Sequence, residues 1–221
     1  MRRTFRIPVL ALAAGLVGLA TAPAVAAAQG FSIAARAGTT GAGGELILSL
    51  APKLSLRGGV GVIPLDFDLD MGRQTYTVEP PPLFVTGSLD IRVAGPVRIM
   101  AGLLHRTDDT RFHGDLEPPV EVGDESYDTE GRIEGALIAA RTAPFVGLGL
   151  GSFGPRGLRV YLDVGLAFAG EPDVELEGSG PITQEPGFAQ ELEKERLAIL
   201  ADTEDYYRYW PVLNLGFRIG L

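Results

Sequence analysis

The last thirteen residues of the chain, Tyr209 to Leu221, limit its fold more than any other segment. From Leu213 onward the odd positions are Leu213, Leu215, Phe217, Ile219 and Leu221, and the even ones are Asn214, Gly216, Arg218 and Gly220. A strand sends alternate side chains to opposite faces. One face here is unbroken hydrocarbon; the other carries an amide, an arginine and bare backbone. A water-soluble barrel turns such an oily face inward. A barrel of the bacterial outer membrane turns it out to lipid and fills the lumen with the small and polar residues.

Seven more segments alternate in the same way: Phe31 to Gly38, Gly44 to Ala51, Leu54 to Ile63, Leu83 to Val93, Val97 to Leu104, Pro144 to Gly151 and Leu158 to Phe168. In the last of these, Leu158, Val160, Leu162, Val164, Leu166 and Phe168 oppose Arg159, Tyr161, Asp163, Gly165 and Ala167. Each is close to the roughly 9–11 residues that a tilted strand needs to cross a bilayer. No lysine or acid falls on an oily face. The Pro/Gly turns at 52–53, 95–96 and 152–157 are tight, whereas 65–82, 107–131 and 169–208 are long; only 39–43 breaks the pattern by being short. Short turns on the periplasmic side and long external connections are the mark of an outer-membrane barrel with both ends in the periplasm. The expectation is an all-β chain, an eight-stranded antiparallel up-and-down transmembrane β-barrel, with residues 29–221 as one domain.

Charge is sorted along the same lines. Of the 28 acids, 24 lie in the three long connections, while Glu45, Asp90 and Asp163 fall on non-oily faces. Residues 1–28 read as a secretory signal: Arg2, Arg3 and Arg6, then an apolar run, then small-x-small cleavage patterns ending at Ala26 and Ala28. Its removal leaves 16 Lys and Arg against 28 acids, a net charge of −12. Nucleic acid is not the expected partner of so acidic a chain. The absence of cysteine means that core and sheet must hold an exported chain together. No mature stretch approaches a spanning helix of roughly 20 apolar residues. Phe188 to Tyr206 forms an amphipathic helix in the last long loop, with Phe188, Leu192, Ile199 and Tyr206 near one face and Leu200 beside it. It reads as a cap on the loop side of the barrel.

The stretches Leu54-Ser55-Leu56-Arg57-Gly58-Gly59-Val60, Pro144-Phe145-Val146-Gly147-Leu148-Gly149-Leu150-Gly151, Tyr161-Leu162-Asp163-Val164-Gly165-Leu166 with Gly170-Glu171-Pro172-Asp173-Val174, and Tyr209-Trp210-Pro211-Val212-Leu213 after an acidic helix resemble an uncharacterised family of Gram-negative outer-membrane β-barrels. That family is similar to the eight-stranded OmpA-type and OmpW-type barrels. The resemblance implies residence in the cell outer membrane, contact with its lipid and lipopolysaccharide, and insertion by the barrel-assembly machinery. It carries no activity and no cofactor.

Four constellations invite chemistry. His105 and His113 flank Asp108 and Asp109, and a lipase-like triad would add Ser88 or Ser126; the plainer reading is strand-end polar residues at the membrane rim. Asp66, Asp68 and Asp70 share a strand face and could hold a hard cation; the plainer reading is a solvated strand edge. The acids of 107–131 similarly invite divalent cations bridging to lipopolysaccharide phosphates. Finally, the non-oily faces carry Arg36, Arg57, Arg92, Arg98, Arg106, Arg159 and Arg218 against Glu45, Asp90 and Asp163. From these we expect a lumenal charge network of Arg57, Asp90, Arg92, Arg98, Arg159, Asp163 and Arg218. The function expected is non-enzymatic: structural, interaction, or a narrow anion-biased pore. The alternatives are a barrel enzyme acting on lipid and a soluble periplasmic ligand-binding barrel.

Overall fold

The computed structural model describes residues 30–151 and 157–221. The signal segment 1–28 and the turn at 152–156 lie outside the described residues. Within them, eight strands close into an antiparallel barrel: β1 (Gly30–Gly38), β2 (Ala42–Ala51), β3 (Leu54–Val62), β6 (Leu83–Ala94), β7 (Val97–Arg106), β12 (Thr142–Gly151), β13 (Gly157–Phe168) and β15 (Tyr209–Gly220). Each expected segment is one of these strands. The closing pair is β1 with β15, where Ile33 faces Ile219 and Ala35 faces Phe217. The oily faces point out: Leu103, Val146, Leu148, Leu150, Val164, Leu213, Leu215 and Phe217 are all about half exposed. This removes the premise of a soluble ligand barrel, which needs those faces inside.

The long connections, expected as loops apart from an acidic strand edge at 66–70 and the helix, are folded through most of their length. They hold five strands, β4 (Phe67–Met71), β5 (Gln74–Glu79), β8 (Thr110–Leu116), β11 (Gly131–Ile138) and β14 (Asp173–Ser179), together with a small hairpin, β9 (Val120–Val122) and β10 (Glu125–Tyr127). The five form one sheet in the order β14-β11-β8-β5-β4. Five barrel strands lie in the order β13-β12-β7-β6-β3, and each is separated from its cap counterpart by only a few residues. The cap is thus the same wall carried upward after a short break. Backbone bonds bridge the break, from Arg106 N–H to Arg141 C=O at 2.8 Å and from Ala140 N–H to Ala169 C=O at 3.2 Å.

The outward face changes character at that break. In the barrel it is Val85, Leu103, Val146 and Leu166. In the cap it is Thr77, Glu79, Arg111, His113, Arg132 and Glu134, paired across strands as Thr77 with His113 and Glu134 with His113. Hydrocarbon below and ionised side chains above mark where lipid ends and water begins. At the boundary, the exposed rings of Phe168 and Tyr209 meet edge to face at 6.0 Å, as in the aromatic girdle of a membrane barrel.

The inward face of the cap packs on helix α1 (Phe188–Arg208). Met71, Tyr76, Val78, Phe112, Leu116, Ile133, Leu137 and Val174 of the sheet enclose Phe188 and Ile199, with Leu192, Leu200 and Tyr207 against them. Tyr206, expected on this face, is instead 71% exposed; the helix runs on to Arg208 and Tyr207 packs in its place. Three helix carboxylates tie down two hairpin turns. Glu195, fully buried, accepts from Arg73 N–H at 2.9 Å, Gly123 N–H at 3.3 Å and the Tyr76 hydroxyl at 3.2 Å. Glu191 accepts from Asp124 N–H at 2.8 Å, and Asp202 from Gly72 N–H at 2.9 Å. Burial, and then the Glu195 charge beside it, push the Tyr76 hydroxyl well above its ordinary range. Glu195→Ala strands buried donors, each worth about 1–3 kcal/mol. Faster hydrogen exchange and protease cleavage at the 72–73 and 123–124 turns, with the barrel still protected, is the expected result.

Asp124 and Glu191 are both held below the usual carboxylate range, chiefly by hydrogen bonds from Lys194. Lower folded pKa values mean that this contribution is present above the unfolded pKa and is lost as pH falls through the folded ones. The turn at 123–124 should therefore stay protected down to about pH 4 and loosen below it. Hydrogen exchange measured across that range checks the sign.

Candidate functional site: the lumenal charge network

The lumen is filled in two layers. Its half next to the cap is apolar: Phe84, Met100, Leu104, Ala143, Phe145, Ala167 and Val212 are buried there, with Trp210 against them. Arg106 lies over the Trp210 ring at 5.5 Å. The sequence reading, which took the whole inward face as small or polar, missed this plug. The signal was present in Phe84 and Phe145, inward-facing rings that a small or polar lumen does not account for.

Beneath the plug lies the charge network, built by inward positions of six strands. Arg57 on β3 is its centre. Its Nη1 reaches Glu45 Oε2 of β2 at 3.1 Å and Asp163 Oδ2 of β13 at 2.6 Å, and its Nη2 reaches Asp90 Oδ2 of β6 at 2.7 Å. Arg98 of β7 joins Asp90 at 3.1 Å and also contacts Asp163. Arg36 of β1 joins Glu45 at 3.3 Å. The Tyr161 hydroxyl donates to Glu45 at 2.7 Å, and the Arg57 and Arg98 guanidinium groups lie 5.2 and 5.4 Å from its ring centre. Ser88 donates to Asp90 at 2.9 Å. All these charged groups are buried.

Glycines make the space. A Cβ at Gly149 would stand 2.3 Å from the Arg98 guanidinium, and one at Gly216 would stand 2.3 Å from the Tyr161 ring. Gly149 and Gly216 are therefore the sockets for Arg98 and Tyr161. Between network and plug remains a cavity of about 20 Å³, lined in part by Arg36, Arg57, Thr86, Met100, Phe145 and Asn214. It has room for about one water.

Of the seven residues expected from sequence, Arg57, Asp90, Arg98 and Asp163 converge. Arg92, Arg159 and Arg218 lie lower, toward the end with the short turns, with Arg159 cross-strand from Arg218 and Arg92 cross-strand from Arg98. Glu45 and Arg36, which sequence placed only on inward faces, are full members. Tyr161 had no signal beyond its parity.

The other constellations separate. His105 bonds Thr142 Oγ1 at 2.8 Å on the exposed wall, while Ser88 points into the lumen. His113 lies 3.4 Å from Glu79 on the outer face of the cap, and Ser126 is in β10. Asp68 and Asp70 share one face of β4, the edge strand of the cap sheet, and accept from Thr77 and Thr75 at 2.9 and 2.6 Å. Asp108 and Asp109 pair with Arg141.

No protein-family model matches the sequence, and no curated protein matches it. Among solved structures, the chain is similar to Acinetobacter baumannii CarO2 at 20% identity, covering 86% of this chain and 97% of that one with a TM-score of 0.63. It is similar to Acinetobacter baumannii CarO at 22% identity, with the same two coverages and a TM-score of 0.62. The likeness is one of fold: an eight-stranded outer-membrane-type β-barrel.

Proposed function

We propose that this protein is an integral barrel of the Gram-negative outer membrane with a non-enzymatic, structural or interaction role, exercised by its external cap. The observation that carries the reading is the shared wall: five strands leave the barrel as hydrocarbon on their outer side and re-form a few residues later with charge there. A soluble protein has no reason to change face chemistry at one level on five strands. The packed lumen favours a role outside the barrel over transport through it. The separation of His105 from Ser88 onto opposite sides of the wall supports the non-enzymatic reading over a lipid-acting enzyme. Outer-membrane lipid and lipopolysaccharide are then the partners of the belt, and the assembly machinery inserts the chain.

The test is fractionation with heat-modifiable gel mobility, joined to protease treatment of whole cells. Recovery in the membrane fraction, with cleavage confined to the cap, is expected. Recovery of folded protein from the soluble periplasm without detergent sinks the reading. A narrow anion-biased pore remains the second reading, because arginine outnumbers acid in the lumen. Planar bilayers decide between them: a closed lumen gives little or no conductance, and a large steady current would refute it.

A further inference from the structure

The cap sheet has two edges, β14 and β4, and they are finished differently. At β14, Arg196 of α1 reaches Asp173 at 3.3 Å and the Val174 carbonyl at 3.5 Å. β4 pairs with β5 on one side and with no strand on the other among the described residues. The cap wall stops there. β1 passes to β2 through Thr39, Thr40 and Gly41 alone, and the five cap strands stand over β13-β12-β7-β6-β3. A row of backbone N–H and C=O groups is thus left along the free side of β4. Its two faces are also distinct. Phe67 and Leu69 share the inward face with Met71, but α1 buries only Met71, and the other two are about half exposed. Tyr206, four residues on from the Asp202 that holds Gly72, is exposed on that side of α1. On the outward face Asp68 and Asp70 accept from Thr77 and Thr75 and form no ion pair among the described residues.

We propose that β4 receives an extended segment of another polypeptide as a sixth strand of the cap sheet, one in which Lys or Arg alternates with apolar residues. Strand addition to a free edge takes its affinity from main-chain hydrogen bonds and its specificity from alternate side chains. The inward side chains of the added strand cover Phe67, Leu69 and Tyr206. Its outward ones stand beside Asp68 and Asp70, where opposite charges across a strand pair are favourable and like charges are not. The same rule excludes a second copy of this chain. β4 against β4 sets Asp68 and Asp70 against the same acids, and β4 against β14 sets them against Asp173, Glu175 and Glu177. The acidic balance of the whole chain, 28 acids against 19 Lys and Arg, steers the same basic partner. The inference rests on the membrane reading proposed above, which puts the cap outside the cell, so the partner is a segment displayed or released there.

The full chain, exported and purified from outer membranes in detergent micelles, is titrated with a synthetic peptide of alternating Lys and Val, about six residues long to match an ordinary strand. Calorimetry reads the binding, and hydrogen exchange reads where it falls. Saturable binding with slower exchange at 67–71 is expected. Two control peptides, one with Glu for every Lys and one N-methylated throughout and so without backbone donors, should bind at least tenfold more weakly. The double variant D68N/D70N should keep its heat-modifiable mobility and lose at least tenfold in affinity for the basic peptide. If that variant does not fold, Asp68→Asn alone serves the same comparison. Equal binding of the basic and N-methylated peptides, unchanged exchange at 67–71, or undiminished binding by the variants overturns the proposal. So does a stable dimer of the peptide-free chain protected at 67–71, which assigns the edge to a second copy. A soluble protein fails the membrane reading, whereas a folded membrane protein indifferent to the basic peptide fails this inference alone.

Discussion

Arg57→Ala should lower the stability of the folded barrel by about 3–5 kcal/mol, the usual result of removing one partner from a buried ion-pair network. Arg57 touches all three lumenal carboxylates, so its loss leaves Glu45 with Arg36, and Asp90 and Asp163 with Arg98. Two arginines then face three buried anions. Urea unfolding of protein refolded in detergent micelles measures the loss. Arg57→Lys keeps the charge but not the fork that spans Glu45, Asp90 and Asp163, so an intermediate loss is expected. Combining Arg57→Met with Glu45→Gln, Asp90→Asn and Asp163→Asn should recover part of the stability, because the cost comes from uncompensated charge. Parent-like stability of Arg57→Ala would show that the network carries no weight in the fold.

Leu162→Arg should cost roughly 2–4 kcal/mol and sharply reduce the yield of heat-modifiable protein, as expected for a charge on the lipid face near mid-membrane. Leu162 sits on the outward side of β13, between Leu150 of β12 and Leu215 of β15. The neighbouring residue is the control. Tyr161 faces inward and is buried, and Tyr161→Phe removes its hydrogen bond to Glu45 while keeping the ring beside Arg57 and Arg98. A loss of about 1 kcal/mol is expected there. Comparable yields of folded protein from Leu162→Arg and the parent would contradict the outward facing of that residue.

The barrel was readable from sequence because the period of two is a local property. Leu158 through Phe168 alternates without interruption, and no tertiary contact is needed to see which side is oily. The cap was not readable for the same reason turned around. Its strands are short and carry acids on their exposed side, so 173–179 looks like solvated loop and of β4 only an acidic strand edge is visible. Their apolar residues, such as Met71 and Val174, have meaning only once α1 lies across them. Glu191 and Glu195 illustrate the point most directly: in sequence they are ordinary acids of an acidic helix, and in space they hold the turns at 72–73 and 123–124.

By itself, the sequence determined which side of each barrel strand meets lipid and which residues could enter the lumen, since alternation along a strand is dictated by the backbone. Only the tertiary structure decided which of those inward residues meet. Strand stagger brings Arg57 within 2.6 Å of Asp163, a residue 106 positions away, and leaves Arg159 and Arg218 facing each other lower down. That stagger is a property of the closed barrel as a whole, set when β1 pairs with β15. Parity along one strand says that a charge points inward; the register across all eight says what it finds there.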